Sequence, residues 1–459
     1  MADVTSAARY TLIATILGSS IVFIDGTVVN VALAPIQQDL GGGLAAQQWI
    51  VDAYLLTLGS LILVGGSLGD IFGAFRVFSI GVTTFGLASA LCAVAPNADT
   101  LIVFRGLQGI AGALLTPASL ALITGTFTGV ARGAAIGTWT AWSGISTVIG
   151  PLLGGWLIGV SSWRVIFLLN VPIAIGTLAL ALTKLPRHQH RKEGARVDVV
   201  GGILCAAGLG GIVLGFIEQP QRGWGDVVVA GGLAGGAVLL AGFVVWEMRI
   251  PQPMLPLRLF GKRNFSVTNI ETFAVYGGLS TWGFFLALFL QQISGYSPFR
   301  SGLATVPVTI VMFLLSRYTG RFSMRYGPRL FMAAGPLIAG ASTLALARLP
   351  VHLNYWVDLL PPLIGFALGL TLTVAPLTTT VLSDAGAADA GVASGVNNAV
   401  ARIAGLVAIA VVGIAAASGS GGLTTRGFHM AMLITGLLIC AGGAIGAVGI
   451  RNPQDRNLV

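Results

Sequence analysis

Fourteen apolar stretches, each about as long as a membrane is thick, set the limits on what this chain can fold into. A helix needs about 20 consecutive apolar residues to cross the hydrocarbon core of a bilayer. Stretches of about that length recur along the whole chain, at residues 10–33, 48–69, 76–95, 101–123, 133–158, 164–183, 198–217, 227–246, 266–290, 301–319, 330–347, 357–382, 391–415 and 428–449. The pattern predicts an all-α polytopic membrane protein with fourteen transmembrane helices, because a helix satisfies its own backbone hydrogen bonds in lipid.

The composition supports a membrane protein and excludes other broad classes. Of the 459 residues, 55% are hydrophobic and 9% are charged, and the mean hydropathy is +0.88, which is too apolar for a soluble chain of this length. The cysteines Cys92, Cys205 and Cys440 have no paired spacing, so we expect neither a disulfide nor a metal site. The first apolar stretch is too long for the core of a cleavable signal peptide, and we expect it to remain as a membrane span.

The net charge of +9 is typical of proteins with a nucleic-acid partner, but the positions of the basic residues give another explanation. If both termini are cytoplasmic, 18 of the 25 Lys and Arg residues fall in inside segments. Cytoplasmic segments of membrane proteins carry such an excess of positive charge. The distribution predicts a multi-pass protein of the cell membrane (inner or plasma membrane), with both termini cytoplasmic and no nucleic-acid partner.

Two long inside segments divide the predicted spans into groups of six, two and six. One is basic, at 184–198, and the other is rich in proline, at 247–266. We therefore predict an N-terminal six-helix bundle at 1–183 and a C-terminal six-helix bundle at 264–459. Between them, 184–263 holds the basic linker, two inserted transmembrane helices and the Pro-rich cytoplasmic segment.

The two six-helix groups also resemble each other. GGSLGDIFGAFRV (65–77) follows the second span of the first group, and GRFSMRYGPRL (320–330) follows the second span of the last group. A motif repeated at corresponding positions of two halves is typical of duplicated transporters. The sequence therefore favours two related bundles.

Charged residues inside the spans are candidates for function. A carboxylate such as Asp25, in the middle of the first span, costs roughly 2.5–3.5 kcal/mol to insert and usually faces a cavity where it binds ions, protons or substrate. A carboxyl group removed from water can gain and lose a proton near neutral pH, so Asp25 is a candidate proton carrier. The alternative is a structural partner for a buried arginine or a backbone amide.

Arg105 lies in the fourth span with Gln108 one turn further on. Because arginine keeps its proton, we expect Arg105 to bias nearby carboxyl groups or bound water rather than to titrate. The alternative is that its side chain extends to the outer interface. Gln108 is a candidate for lining a cavity.

Other polar residues in the spans have two interpretations each. Glu271 either faces a cavity and attracts a cationic substrate, or lies at the interface and pairs with Lys262 or Arg263. Asp52, near the outer end of the second span, is expected to be a capping or interfacial group. Cavity lining and interhelical hydrogen bonding are both open for three residues of the thirteenth span, Asn397, Asn398 and Arg402.

The loop after the second span combines an acid, a base and glycines. Asp70 lies between Gly66 and Gly73, and Arg76 follows six residues later. A carboxylate at that place can pair with an arginine or with a helix N-terminus in one conformation and release it in another, which predicts a cytoplasmic latch. Capping of the loop alone is the alternative.

Small residues recur on one stripe of the fifth span. Ser146, Gly150 and Gly154 are four residues apart, and Gly155 and Gly159 repeat that spacing one position further round the helix. Such a stripe lets another helix approach closely. It predicts either ordinary close packing of membrane helices or a sealed contact between two halves of a transporter.

These motifs together resemble the major facilitator superfamily, and within it the fourteen-span drug:proton antiporters of the EmrB/QacA type. The similarity covers nearly the whole chain in the right order, through IDGTVVNVALAPI, GSLGDIFGAFRV, LIVFRGLQGIAGA, GPLLGG, SSWRVIFLLNVPIAI, WEMRIPQPMLPLRLFGKRNFS and LQQISGYSPFRSGLATVP. In the loop motif, Ile71, Ala74 and Phe75 stand where the family usually has basic residues. The resemblance implies two six-helix bundles of the major facilitator fold with two extra helices.

The resemblance also implies roles for individual residues. Asp25 and Arg105 would take part in proton or substrate coupling, and Asp70 and Arg76 would latch the cytoplasmic side. The antiporter motif of the fifth span would seal the interface between the halves through Gly150, Pro151, Gly154 and Gly155.

The leading functional hypothesis is proton-coupled export of small amphipathic compounds by alternating access, and the alternative is a dedicated exporter of one endogenous lipid or secondary metabolite. We expect no enzyme activity, because all four histidines lie in loops or at span ends and no paired nucleophile and base is apparent. No nucleotide-binding loop is present, so we expect a proton gradient, and neither a cofactor nor ATP, to drive transport. Membrane lipids, substrate and protons are the expected partners.

Overall fold

The structure, a computed structural model, describes residues 2–185, 197–385, 389–417 and 422–452. Most of the predicted basic linker, residues 186–196, lies outside these ranges. Within them the α-helices are α1 (Ala2–Leu40), α2 (Gly43–Phe72), α3 (Ala74–Ala93), α4 (Ala98–Thr126), α5 (Gly129–Val160), α6 (Arg164–Leu168), α7 (Asn170–Lys184), α8 (Val199–Arg222), α9 (Val227–Arg249), α10 (Arg263–Leu288), α11 (Pro298–Ala304), α12 (Val306–Tyr326), α13 (Pro328–Leu346), α14 (Leu360–Ala385), α15 (Ala390–Ala416) and α16 (Thr425–Gly449).

Fourteen helical segments in the described part of the chain are long and apolar enough to cross a membrane. This confirms the predicted class and the predicted number of spans. Two spans are interrupted helices: α6 and α7 together form one, and α11 and α12 are separated at Thr305. Pro307 explains the second break, because it has no N–H to continue the backbone ladder from α11.

Two spans carry wider turns at one end. Helix α10 continues into a π-helical turn, Phe289–Ile293, and α14 is preceded by another, Tyr355–Leu359. The Pro-rich segment after α9 is irregular up to a 3₁₀ turn at Leu257–Gly261. Its prolines lack the donors of a regular helix and so keep this segment out of the neighbouring spans.

The helices form two compact units. Unit 1 comprises Met1–Leu255 together with Tyr296–Gly302, and unit 2 comprises Pro256–Gly295 and Leu303–Val459. The inserted helices α8 and α9 therefore belong to unit 1. The division into six, two and six spans stays a prediction about sequence organisation.

Glycines allow the helices of unit 1 to pack with their backbones close together. A Cβ added at Gly65 of α2 would collide with the carbonyl group of Ala113 on α4, and one at Gly211 of α8 would lie 2.8 Å from a carbonyl oxygen of α9. Helix α8 also packs on α2, where a Cβ at Gly202 would lie 2.9 Å from Val64. Close approach of this kind is how membrane helices gain packing energy without a hydrophobic driving force.

The helices of unit 2 also pack closely at glycines. A Cβ at Gly335 of α13 would lie 2.7 Å from a carbonyl oxygen of α14, and one at Gly443 of α16 would lie 2.8 Å from a carbonyl oxygen of α13. Helix α10 packs on α15 at Gly277, where the corresponding distance is 3.1 Å. Glycines therefore allow close helix crossings in both units.

Candidate functional site

A buried polar network surrounds Asp25 inside unit 1. The side chain of Asp25 has no solvent exposure. Its Oδ2 atom forms an ion pair with Nη1 of Arg105, and its Oδ1 atom accepts hydrogen bonds from Gln108 Nε2 at 2.8 Å and from Asn170 Nδ2 at 3.0 Å. Both of these donors also reach Ser89 Oγ, at 2.8 and 3.3 Å. We call these five residues the Asp25 network.

Arg105 is held from several sides. Only 1% of its side chain is exposed. Its Nη1 atom also donates to Gln108 Oε1 at 2.6 Å, its Nε atom donates to the carbonyl oxygen of Ile50 at 3.1 Å, and its guanidinium group lies 4.3 Å from the ring centre of Tyr54. The side chain therefore does not extend to the outer interface. A planar group with donors on several edges suits this fixed position better than an ammonium group does.

The local sequence of α4 explains how α2 reaches Arg105. A Cβ at Gly109 would collide with the side chain of Thr57 and the carbonyl group of Tyr54. The absence of that Cβ lets α2 lie close enough to place Tyr54 and the Ile50 carbonyl against Arg105. The hydroxyl group of Tyr54 in turn donates to the carbonyl oxygen of Val22 on α1 at 3.1 Å. Three helices are thereby joined around one charge.

Three members of this arrangement were not predicted as site residues. Asn170 could have been predicted from the sequence, because it is a polar residue within an otherwise apolar span. The sequence indicates Tyr54 less strongly, through the rule that a buried tyrosine hydroxyl usually finds a hydrogen-bond partner. Nothing in the sequence distinguishes Ser89, because serine is common in membrane helices. The predicted residues that the structure brings together are Asp25, Arg105 and Gln108.

Asp52 differs from the expectation of a capping or interfacial group. Its side chain has no solvent exposure, and neither carboxylate oxygen has a hydrogen-bond partner among the described residues. Helix α2 begins at Gly43, before the apolar stretch that predicted this span, so Asp52 is further from the helix end than the sequence indicated. It is a second buried acid in unit 1.

Glu271 is buried inside unit 2. It has no solvent exposure, and neither of its oxygens has a hydrogen-bond partner within the described ranges. Its Oε2 atom lies 2.7 Å from the point where a Cβ at Gly446 of α16 would sit. Lys262 and Arg263 donate instead to backbone carbonyl groups of α14 and α16. The interfacial ion pair considered for Glu271 is therefore not formed.

The polar residues of α15 have different surroundings. Asn397 donates to Thr272 Oγ1 at 2.8 Å and to Asn269 Oδ1 at 3.2 Å, both on α10. Asn398 is exposed and donates to a carbonyl group one turn back on its own helix. Arg402 is half-buried. Of the two interpretations, interhelical hydrogen bonding describes Asn397.

The predicted latch residues lie on the two sides of a sharp bend. Gly73 joins α2 to α3 with φ 90°, a left-handed conformation that favours glycine over residues with a Cβ. Asp70 lies in the last turn of α2 and Arg76 in the first turn of α3. Both side chains are exposed, and in the described part of the chain no ion pair joins them. Gly66 packs on α4, where a Cβ would lie 3.8 Å from Pro117. The latch stays a prediction.

The first glycines of the antiporter motif pack on α1. A Cβ at Gly150 would collide with the side chain of Thr27 and lie 3.0 Å from the carbonyl oxygen of Ile24. A Cβ at Gly154 would collide with the side chain of Val28. These α1 residues directly flank Asp25 in the sequence. The glycine stripe of α5 thus fixes the helix that carries the buried acid.

The rest of the motif packs on residues 296–302, the separate segment of unit 1. A Cβ at Gly155 would lie 2.7 Å from the carbonyl oxygen of Pro298, and one at Gly302 would lie 2.5 Å from the carbonyl oxygen of Pro151. Gly159, by contrast, has open space around it. The predicted close contact therefore involves both Pro151 and Gly155 and ends before Gly159.

The Asp25 network contains an ion pair that joins α1 to α4. Among the described residues, no three His, Cys, Asp or Glu side chains are grouped so that they could hold a metal ion. The geometry therefore shows a charged contact between two helices, held in place by neutral donors.

Comparison with known proteins gives a consistent result. The sequence model of the Major Facilitator Superfamily matches residues 15–409. The chain is 34% identical to a tetracenomycin C resistance and export protein of Streptomyces glaucescens, over 89% of this chain and 76% of that protein. It is also 34% identical to a methylenomycin A resistance protein of Streptomyces coelicolor, over 100% of this chain and 95% of that protein.

A solved structure has the same fold. The crystal structure of a peptide transporter, POT, in complex with sulfate superposes with a TM-score of 0.70 and 16% sequence identity, over 95% of this chain and 93% of that chain. At this identity the similarity shows the fold alone. It agrees with the helical architecture described above.

Proposed function

Because the chain belongs to the major facilitator superfamily, as its motifs indicated, we propose that it is a proton-coupled exporter of amphipathic or lipophilic compounds. In this proposal it is a drug:proton antiporter that works by alternating access. The two relatives described are named for resistance to antibiotics, and one of them for export. The observation that carries proton coupling is the fully buried ion pair of Asp25 and Arg105.

Asp25 is the proposed proton carrier and Arg105 the fixed charge. Arg105 keeps its proton, so it attracts Asp25 while that side chain carries a negative charge. A proton arriving from the outside would neutralise Asp25, remove this attraction and favour the arrangement that releases substrate. Loss of the proton to the inside would restore the ion pair and reset the cycle. Each step shifts an equilibrium between states through contacts that differ between them.

The proton gradient supplies sufficient energy for export. One proton moving inward releases roughly 2.3 kcal/mol per 100 mV of membrane potential and roughly 1.4 kcal/mol per pH unit. Together these support a substrate concentration ratio of roughly several hundred. Neither a cofactor nor ATP is required.

We place the protein in the cell membrane, with both termini in the cytoplasm, because of the bias in basic residues. Its partners in this proposal are membrane lipids, protons and the small substrate, without nucleic acid. Asp70 and Arg76 would then lie on the cytoplasmic side, where their exposure leaves them free to pair in another state of the cycle. No covalent chemistry takes place on the substrate.

The test is transport in lipid vesicles with an imposed pH gradient, using a panel of lipophilic cations and neutral drugs. Asp25→Asn should remove gradient-dependent movement while the thermal unfolding curve still shows a folded protein. Asp99→Asn is the matched control, because Asp99 is an exposed acid in the first turn of α4. Unchanged gradient-driven export by folded Asp25→Asn protein would refute the role of Asp25.

A second candidate is a dedicated exporter of one endogenous lipid or secondary metabolite. It is favoured by the names of the two relatives, each of which refers to a single antibiotic. The breadth of the same panel distinguishes the candidates: movement of several unrelated compounds supports the multidrug exporter. Movement of none by folded protein supports the dedicated exporter.

A further inference from the structure

Two acids meet at the base of the inserted helical hairpin formed by α8 and α9. Asp198 immediately precedes α8, and Glu247 lies in the last turn of α9. Their side chains are 4% and 3% exposed. Neither was a candidate in the sequence, and the proposed export cycle does not use them.

One oxygen of each carboxyl group accepts hydrogen bonds. Asp198 Oδ1 accepts hydrogen bonds from the backbone N–H of Gly201 and from Trp246 Nε1, both at 2.8 Å. Glu247 Oε2 accepts from the backbone N–H of Leu255 at 2.9 Å. The first acid thereby caps α8, and the second holds the start of the Pro-rich segment against the end of α9.

The other two oxygens lie beside the same glycine of α8. Asp198 Oδ2 and Glu247 Oε1 are buried and have no hydrogen-bond partner among the described residues. Both lie over Gly201: Glu247 Oε1 is 2.7 Å from the point where a Cβ would sit, and Asp198 Oδ2 is closer still. Because both oxygens lie within 2.7 Å of this one point, the two carboxyl groups are close neighbours. A side chain at residue 201 would occupy the space that these oxygens share.

Among the described residues, little near these two acids could balance two negative charges. Of the described groups, the titratable one that faces Glu247 besides Asp198 is the thiol of Cys205 on α8. Helix α2 packs on this end of α8 with the apolar side chain of Val64, and Arg249 of α9 is exposed. Two ionised carboxylates offer acceptors only, and taking an uncompensated charge out of water is costly.

We propose that Asp198 and Glu247 share one proton and form a proton-binding site on the inserted hairpin. The hydroxyl group of the protonated acid donates to the free oxygen of the other, so no covalent bond other than O–H is made or lost. With the proton bound, the start of α8, the end of α9 and the N–H of Leu255 are joined through the two side chains. Loss of the proton places two like charges against each other and opens this connection. The site is independent of Asp25.

Replacement of one carboxyl group by an amide of the same shape tests whether the pair needs one hydrogen-bond donor between the two side chains. In Glu247→Gln the new carbonyl group accepts from Leu255 while the amide N–H donates to Asp198. In Asp198→Asn the carbonyl group accepts from Gly201 while the amide N–H donates to Glu247. Each single variant should therefore fold and melt near the native temperature. The double variant places two N–H donors against each other. Its melting temperature should therefore fall by much more than the two single variants' changes added together. If the change in melting temperature of the double variant equals the sum of the two single changes, the proposal of a shared proton is refuted.

The pH dependence of unfolding gives a second readout. The folded native chain holds a proton that an unfolded chain has released above about pH 5. Its melting temperature should therefore fall between about pH 5 and the pH at which the folded site loses its proton, by roughly 1 to 3 °C per pH unit for one proton. In either single variant that contribution should be missing and the slope shallower by the same amount. Equal slopes in all three proteins would overturn the proposal.

Two further measurements identify what is bound. Infrared difference spectra of native protein against Glu247→Gln should show the carbonyl band of one protonated carboxyl group, and raising the pH should remove it. Addition of sodium or magnesium at neutral pH should leave the native melting temperature unchanged. A rise with either ion that is absent in both single variants would show that a metal cation, rather than a proton, occupies the site and would refute the proposal.

Discussion

Replacement of Arg105 by lysine separates the charge of this residue from its geometry. Lysine keeps the positive charge and can still pair with Asp25. It has no counterpart of the Nε atom, which donates to the Ile50 carbonyl at 3.1 Å, and no planar group to lie 4.3 Å from the ring centre of Tyr54. A hydrogen bond to a charged donor contributes about 1.5–3 kcal/mol, and a desolvated cation–π contact contributes about 0.5–2 kcal/mol.

From these contacts we expect Arg105→Lys to lower the free energy of unfolding by about 2–5 kcal/mol. The measurements are thermal unfolding in detergent and gradient-driven export in vesicles. Arg348→Lys is the control, because Arg348 is an exposed arginine and should tolerate the exchange. The variant should melt several degrees below the native chain and export more slowly. If Arg105→Lys matches the native chain in both assays, charge alone explains the role of residue 105 and the packing argument is refuted.

Three further predictions follow from the packing and hydrogen bonds described above. Gly154→Ala should lower both the melting temperature and the export rate, because the new Cβ would meet Val28 and overpacking costs about 1–3 kcal/mol. Gly159→Ala on the same helix is the control and should change neither, because Gly159 has open space around it. Equal effects of the two substitutions would argue against the contact. Asn170→Leu should destabilise the protein by about 1–3 kcal/mol, because it removes an amide that donates within the Asp25 network; unfolding in denaturant measures this, and an unchanged midpoint would contradict it. Glu271→Gln should melt at least as high as the native chain near neutral pH, because an amide carries no charge to desolvate. A fall of several degrees would show that Glu271 has a cationic or donor partner.

The number of spans could be predicted because it depends on a local property. Each span must be long and apolar enough to cross the bilayer, and neighbouring residues in the sequence decide this together. Asp25 and Arg105 could be singled out for the same reason, since a charge within an apolar stretch is visible without any knowledge of its partners. The helix ends were less predictable. Helix α2 begins at Gly43, before its apolar stretch, and for this reason Asp52 was expected too near the interface.

The partners of the buried charges could not be predicted, because they come from helices far apart in the sequence. Asn170 donates to Asp25 across 145 positions, and nothing in the local sequence of either residue specifies the other. The same is true of Asp198 and Glu247, which are separated by a whole helical hairpin. Their contact depends on the crossing of α8 and α9, and that crossing is set by glycines whose neighbours only the fold reveals.

The partners of a buried carboxyl group, rather than its burial, distinguish the three acids in the spans that have no solvent exposure. Asp25, Asp52 and Glu271 all have no solvent exposure. Asp25 has a cation and two amide donors, whereas the other two have no hydrogen-bond partner within the described residues. A conformational change requires contacts that differ between its states. The ion pair of Asp25 joins α1 to α4, whereas no ion pair of Asp52 or Glu271 is found among the described residues. Asp25 is therefore the acid whose charge acts directly on helix packing, and the proposed coupling should be measured there first.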